Sequence, residues 1–386
     1  MTVLEPRFAA VAETFGQIVG KGDDRGAALC VYHRGAPVVD IWAGTADVKT
    51  RRPWDADTIA PITGATKGLL TVAVLLLVQD GTLRLDTPVS DCWPEFAAAG
   101  KQDVTPRWLL SHRSGVPALD RPISSRAMIA GDGPAAALAA QTPAWPPGSA
   151  HGYHPSTGAW ILDEVVRRVG GSTVGDVLSQ RVTTVTGKDV FIGLPEREAG
   201  RLAPLIFPIM ELMRARPKEP EFAEFGKAVF ASRTLLARSL NSLAMSRTDQ
   251  FNDPAFLALG EPSMSGVASA SALAWLYASL IGEVDGHRLL DPGLLQDALR
   301  TESSGHDRVM LMDTRFGLGF MLPGGPLWPG ETPTQFGHGG TSGALAFADP
   351  VHDLAFAYVP NRMSGYIEGA DANARRLTTA VYAALR

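Results

Sequence analysis

The sequence predicts an α+β protein: one antiparallel sheet built from both ends of the chain and flanked by terminal helices, with a mostly helical lobe inserted between them. Three observations carry that expectation. Strand-like apolar runs gather near residue 30 and again beyond residue 315. The long middle of the chain reads as helical patterns joined by Pro- and Gly-rich loops. No period of self-similarity points to a repeat architecture.

The elements follow in order. Residues 4–19 place Phe8, Val11, Ala12, Phe15, Ile18 and Val19 at helical spacing. Two strand-like runs, AALCVYH (27–33) and PVVDIWAG (37–44), come next, and only Arg34, Gly35 and Ala36 separate them, which predicts a hairpin. The most hydrophobic stretch, GLLTVAVLLLV (68–78), is too short to span a bilayer and reads as a buried core helix. The 183–252 region has little periodicity, and its LMRARPKEPEFAEF stretch reads either as a lid or specificity region or as an exposed connector. RFGLGFML (315–322), GALAFADP (343–350) and DLAFAYVP (353–360) read as strands, and 364–386 as a closing helix. The expected division is an α/β lobe of 1–60 plus 301–386 and a helical lobe of 61–300, with the active site in the cleft between them.

Composition narrows the function. With 386 residues, 45% of them hydrophobic, the chain can bury a core as one large domain or two intimate ones, and 8% aromatic residues exclude a solvated coil. A net charge of −5 argues against nucleic acid as a partner. Two cysteines, Cys30 and Cys92, supply no disulfide framework; they could pair with each other, but read rather as two buried thiols. The opening MTVLEPRFAA carries Glu5 and no apolar run of the kind a signal segment needs, so the expectation is a cytoplasmic protein without membrane partners.

The informative segment is DTIAPITGATKG (57–68), immediately before the apolar helix. Lys67 enters a hydrophobic environment, where an ammonium either finds polar partners or gives up its proton more readily. A lysine base needs that setting. A nucleophile would stand three residues upstream, one turn back on the same face, close to free N–H groups and the positive end of the helix dipole. Gly64 occupies that position. In PGSAHGYHPSTGAW (147–160), Tyr153 on a punctuated loop is either a proton shuttle, if a cation lowers its pKa, or a half-buried ring bonded to backbone. In FGHGGTSGALAFADP (336–350), glycines ahead of a strand either admit a ligand close to the backbone or simply open a hairpin.

Taken together, these segments resemble the serine hydrolases related to class C β-lactamases and DD-peptidases, and most of all the family VIII carboxylesterases. That family carries Ser-x-x-Lys in a stretch similar to DTLF-x-x-x-SATKG, and this chain matches it on both sides of the missing serine. DGTLRLDTPVSDCWPEF (80–96) and TPRWLLSHRSGVP (105–117) are similar to further family segments, read as structural, so His112 and Ser114 are not assigned chemistry. SMSGVASASALAWLYASL (263–280) also matches, with Ser265 where the family often has Asn, and it receives no role. The resemblance implies the β-lactamase/DD-peptidase-like fold, a small-molecule ester or acyl substrate, and neither metal nor organic cofactor. It gives Lys67 the role of base and Tyr153 that of shuttle. His338, Gly339 and Gly340 align with the family's Lys-Thr-Gly strand, so His338 would line the site. Thr341 and residue 64 would then supply the oxyanion N–H groups. Class C β-lactamases have Tyr-x-Asn where this chain has Tyr153, His154 and Pro155, which favours the esterases.

Glycine cannot form an acyl-enzyme. No lysine of the chain has serine three residues before it, no Gly-x-Ser-x-Gly elbow is present, and Thr63 and Thr66 are rotated off the required face. Two origins fit Gly64: a catalytic serine replaced by glycine, or a natural homologue whose chemistry has been lost or changed. The retained flank favours the first, because an unused site has no need of a buried lysine. The expected function is a carboxylesterase scaffold lacking its nucleophile. An acyltransferase of natural-product tailoring and a non-catalytic ligand-binding homologue are the alternatives. Oligomeric state is open.

Overall fold

A computed structural model describes residues 3–21, 25–208, 220–245, 249–328, 330–363 and 371–386. Its main sheet is antiparallel and runs in the order Val3–Leu4, Ala36–Asp47, Gly26–His33, Leu354–Pro360, Leu345–Asp349, Phe336–Gly339, with Arg52–Pro53 added alongside Ala36–Asp47. Both chain ends therefore meet in one sheet. The hairpin between Gly26–His33 and Ala36–Asp47 turns through Arg34 (φ 54°) and Gly35 (φ 77°), the paired positive angles that match the twist of its strands.

Side-chain alternation sorts the sheet's two faces. Leu29, Val31, Leu345, Phe347, Phe356 and Tyr358 pack with Phe8, Val11, Phe15 and Ile18 of helix Ala9–Gly20 and with Leu377 and Val381 of helix Ala372–Leu385. The opposite face is paved with alanines (Ala28, Ala346, Ala348, Ala355, Ala357), and these small side chains let helix Ala270–Ile281 lie directly on the strands. Helix Thr66–Gln79 packs in the same cluster and is buried from Thr66 to Leu77, as the all-round apolar sequence requires.

Several expected boundaries shift for identifiable reasons. Residues Val3–Leu4 form a strand against Val39–Asp40 rather than the first turn of the N-terminal helix, because Glu5 precedes Pro6 and is held extended (φ −70°, ψ 141°). The expected strand at 315–322 is cut short. Asp313–Phe316 pairs with Ser303–His306 in a separate hairpin, and the chain then turns at Gly319 (φ 77°) before Met321 touches the main sheet at Gly337. The closing helix begins at Ala372, where the Asp371 side chain accepts the Ala374 N–H at 2.7 Å; residues 364–370 lie outside the described chain. Of the LMRARPKEPEFAEF stretch, residues up to 219 likewise lie outside it, and the remainder forms the short helices Pro220–Phe222 and Ala223–Ala228. Cys30 and Cys92 are both free thiols; Cys30 is buried as expected, whereas Cys92 is only half-buried. Among the described residues no helix is long and apolar enough to cross a membrane.

Candidate active site

Position 64 sits in a single 3₁₀ turn, Thr63–Ala65, that runs directly into helix Thr66–Gln79. Thr63 adopts a positive φ of 44°, a costly conformation for a β-branched residue, and four contacts hold it. The Ile62 N–H donates to the Gly266 carbonyl at 2.9 Å, and the Thr66 hydroxyl donates to the Thr63 carbonyl. The Ser342 N–H donates to the Thr63 hydroxyl at 2.9 Å, and that hydroxyl donates on to the Ser342 hydroxyl at 3.2 Å. Both threonine hydroxyls flanking Gly64 are thus engaged in building the turn.

The Thr63–Ser342 pair clips the turn after strand Phe336–Gly339 against residue 64. Gly340 lies so close that a β-carbon there would be 2.1 Å from the Ile62 carbonyl oxygen and 3.0 Å from the Ala65 nitrogen. Gly339 is still within the strand, opposite Leu345, and Thr341 follows Gly340 at the half-buried tip of the turn. His338 is buried and donates from Nδ1 to the Gly339 carbonyl at 2.8 Å.

Lys67, on the first turn of its helix, is 5% exposed. Its Nζ donates to the Ser263 carbonyl at 3.2 Å and stands 5.3 Å from the centroid of the Tyr153 ring. Tyr153 in turn lies 6.2 Å from the His338 ring, edge-on to His112 at 4.8 Å and stacked on Phe316 at 5.9 Å. Gly64, Lys67, Tyr153, His338 and Gly340, singled out from three distant stretches of sequence, are therefore brought together.

Two histidines behind Tyr153 form a neutral scaffold. The His154 Nδ1 faces the Gly152 carbonyl at 2.6 Å, so it carries the proton, and Nε2 accepts from the Ser114 hydroxyl at 2.7 Å. The His112 Nδ1 accepts the His154 N–H at 3.2 Å, which places the neutral ring's proton on Nε2. Burial lowers His154 to about 4, and burial together with the neighbouring His154, His338 and Lys67 pushes His112 well below the usual histidine range. His112 thus packs against the Tyr153 ring, and Ser114 bonds His154 beside it.

Two carboxylates were not found from sequence. Glu261 is buried and accepts from Trp160 Nε1 at 2.6 Å, from the Ser263 hydroxyl at 2.6 Å and N–H at 3.1 Å, and from the Met264 N–H at 2.9 Å. It thereby holds the very residue whose carbonyl receives Lys67. Burial raises its carboxyl above the ordinary range, while bonds from Ser263 and Trp160 and the charge of Lys67 pull it down. Asp307 binds the backbone of Tyr153 with both carboxylate oxygens, at 3.0 and 2.9 Å. The available signal for each was slight: Glu261 is a lone acid among apolar and small residues, and Asp307 is one of several polar and charged residues in TESSGHDR (301–308). Among the described residues no cluster of His, Cys, Asp and Glu could hold a metal ion.

A buried lysine one turn from position 64, a tyrosine ring beside it and a glycine turn packed against residues 62–65 sit on a sheet made from the two chain ends, a β-lactamase-type fold. The chain belongs to the beta-lactamase family, whose model matches residues 11–380. It is 30% identical to the esterase/beta-lactamase LipL of Mycobacterium tuberculosis over 373 residues, covering 93% of this chain and 82% of that one. It superposes on the crystal structure of a family VIII carboxylesterase with a TM-score of 0.87 at 31% identity, over 100% of this chain and 99% of the other. A penicillin-binding protein homologue from Caulobacter crescentus matches over 100% and 99% of the two chains, with a TM-score of 0.85 and 34% identity.

Proposed function

We propose that this chain is the scaffold of a carboxylesterase acting on small acyl esters through an acyl-enzyme, with its nucleophile position occupied by Gly64. The observation that supports this most is the convergence of Lys67 and Tyr153, 5.3 Å apart from Nζ to ring centroid, on a turn clipped to the Gly340 loop. In this reading a serine hydroxyl at position 64 attacks the ester carbonyl while Lys67 takes its proton. The N–H groups of residue 64 and Thr341 stabilise the oxyanion, and Tyr153 returns a proton to the departing alcohol. His338 lines the opposite wall. Water then attacks the acyl-enzyme, giving a proton to Tyr153, and Lys67 returns its proton to the serine oxygen as the carboxylic acid leaves. Similarity to LipL, named as an esterase/beta-lactamase, supports the ester class.

With glycine at position 64, hydrolysis depends on a water activated by Lys67 or Tyr153. Loss of a nucleophile that works as a unit with its base costs several orders of magnitude in rate. The test is Gly64→Ser assayed on short p-nitrophenyl esters: a burst followed by steady turnover, at least about 10³-fold above the glycine form, is expected. Gly64 itself favours one other reading, a non-catalytic ligand-binding homologue. Ester binding by calorimetry with no gain in turnover from Gly64→Ser establishes that reading and ends the first. Product analysis with competing alcohols and amines separates a hydrolase from an acyltransferase.

A further inference from the structure

Asp307 is 0% exposed, 154 residues beyond the tyrosine it contacts. Four donors converge on its carboxylate: the Tyr153 N–H, bridged by both oxygens at 3.0 and 2.9 Å, the Val309 and Met310 N–H groups at 2.8 Å each, and the Thr314 hydroxyl at 3.0 Å. Since Thr314 gives its proton to Asp307, it accepts from His151 Nε2 at 3.0 Å, and the Arg308 N–H binds the His151 carbonyl at 3.2 Å. The strand that follows ends in Phe316, whose ring lies within 11° of parallel to that of Tyr153. One segment, 307–316, therefore grips the Tyr153 loop through both backbone and ring. Capping the local turn needs only the bonds to Val309 and Met310, which an uncharged Ser or Asn supplies. Burying a full carboxylate is far more costly, and the added bonds it makes go to the Tyr153 loop.

We propose that Asp307 is the positioning residue for Tyr153, fixing the backbone from which the phenol reaches Lys67 and the leaving group. The role rests on the acyl-transfer reading given above. Asp307 touches no reacting atom, so its influence passes entirely through Tyr153. In the Gly64→Ser protein, Asp307→Asn presents an amide N–H₂ where two acceptor oxygens are needed. It should lower kcat on a p-nitrophenyl ester by about 30-fold with KM changed by no more than about 2-fold, because a displacement near 1 Å affects the transition state more than binding. Added to Tyr153→Phe, it should cost nothing further; losses that multiply instead overturn the proposal. Thr314→Val, a milder change, carries the same cycle if Asp307→Asn does not fold, with about a 5-fold loss expected and multiplying losses again decisive against it. If Gly64→Ser gives no turnover, the ester-hydrolase reading has failed. Positioning is then read from a crystal structure of Thr314→Val or Asp307→Asn in the glycine chain: a shift of the Tyr153 ring by about 1 Å sustains it, and an unmoved ring refutes it.

Discussion

At position 340 a β-carbon would lie 2.1 Å from the Ile62 carbonyl oxygen and 2.5 Å from the Thr63 hydroxyl, contacts that no small shift relieves. Gly340→Ala should push the 340–343 turn off the Thr63–Ser342 clip, lowering stability by about 1–3 kcal/mol in urea unfolding. It should also remove most of the turnover of the Gly64→Ser form; wild-type-like stability and rate would show that the turn moves freely. Single residues were partly legible in sequence. Lys67, Gly64, Tyr153 and His338 were, because their neighbours form local patterns. Asp307 and Glu261 were not, since an acid outside any local pattern acquires meaning only from the donors folded around it.

The buried helix Thr66–Gln79 carries its own packing conflict. A β-carbon at Gly68 would sit 2.3 Å from the Tyr277 hydroxyl and 3.3 Å from the ring carbon that bears it. That hydroxyl has no hydrogen-bond partner among the described residues. Tyr277→Phe should therefore be neutral or stabilising by about 1 kcal/mol, since it removes an unsatisfied buried group. Gly68→Ala should be destabilising alone and largely rescued by Tyr277→Phe, where alanine's helix preference of about 1 kcal/mol over glycine then counts. Urea midpoints of the two single variants and the double variant check this, and simple additivity would contradict it. The helix itself was legible because an unbroken apolar run has one stable home. The strand expected at 315–322 was not legible as it stands: Gly317 and Gly319 end it, and its true partner, Ser303–His306, carries almost no apolar signal.

Across the whole molecule, the buried histidines set an acid limit. His154 falls from 6.5 to about 4 through burial, and His112 and His151 are lowered as well. Above pH 6.5 folded and unfolded chains are both neutral at His154. Between 6.5 and 4 the unfolded chain binds a proton that the folded one refuses, so stability falls as pH falls, by about 3 kcal/mol for this group. Buried Glu261 and Asp163, raised by desolvation, oppose the trend. The difference between variants isolates the histidine: His154→Gln should lose less stability than the parent between pH 7 and pH 4.5, and parallel curves would rule the account out.

The sequence by itself determined the central hairpin, the last two sheet strands and the buried helix after position 64, because side-chain periodicity and turn residues act over a few positions. It also pointed to the family and to glycine at position 64, three residues before Lys67, because that motif is continuous. Only the tertiary structure decided how the site is held together. The Thr63–Ser342 clip, the Glu261 grip on Ser263 and the Asp307 grip on Tyr153 join residues brought together by the sheet and by loop packing. Their energies come from burial and hydrogen-bond convergence, which have no counterpart in the order of residues along the chain.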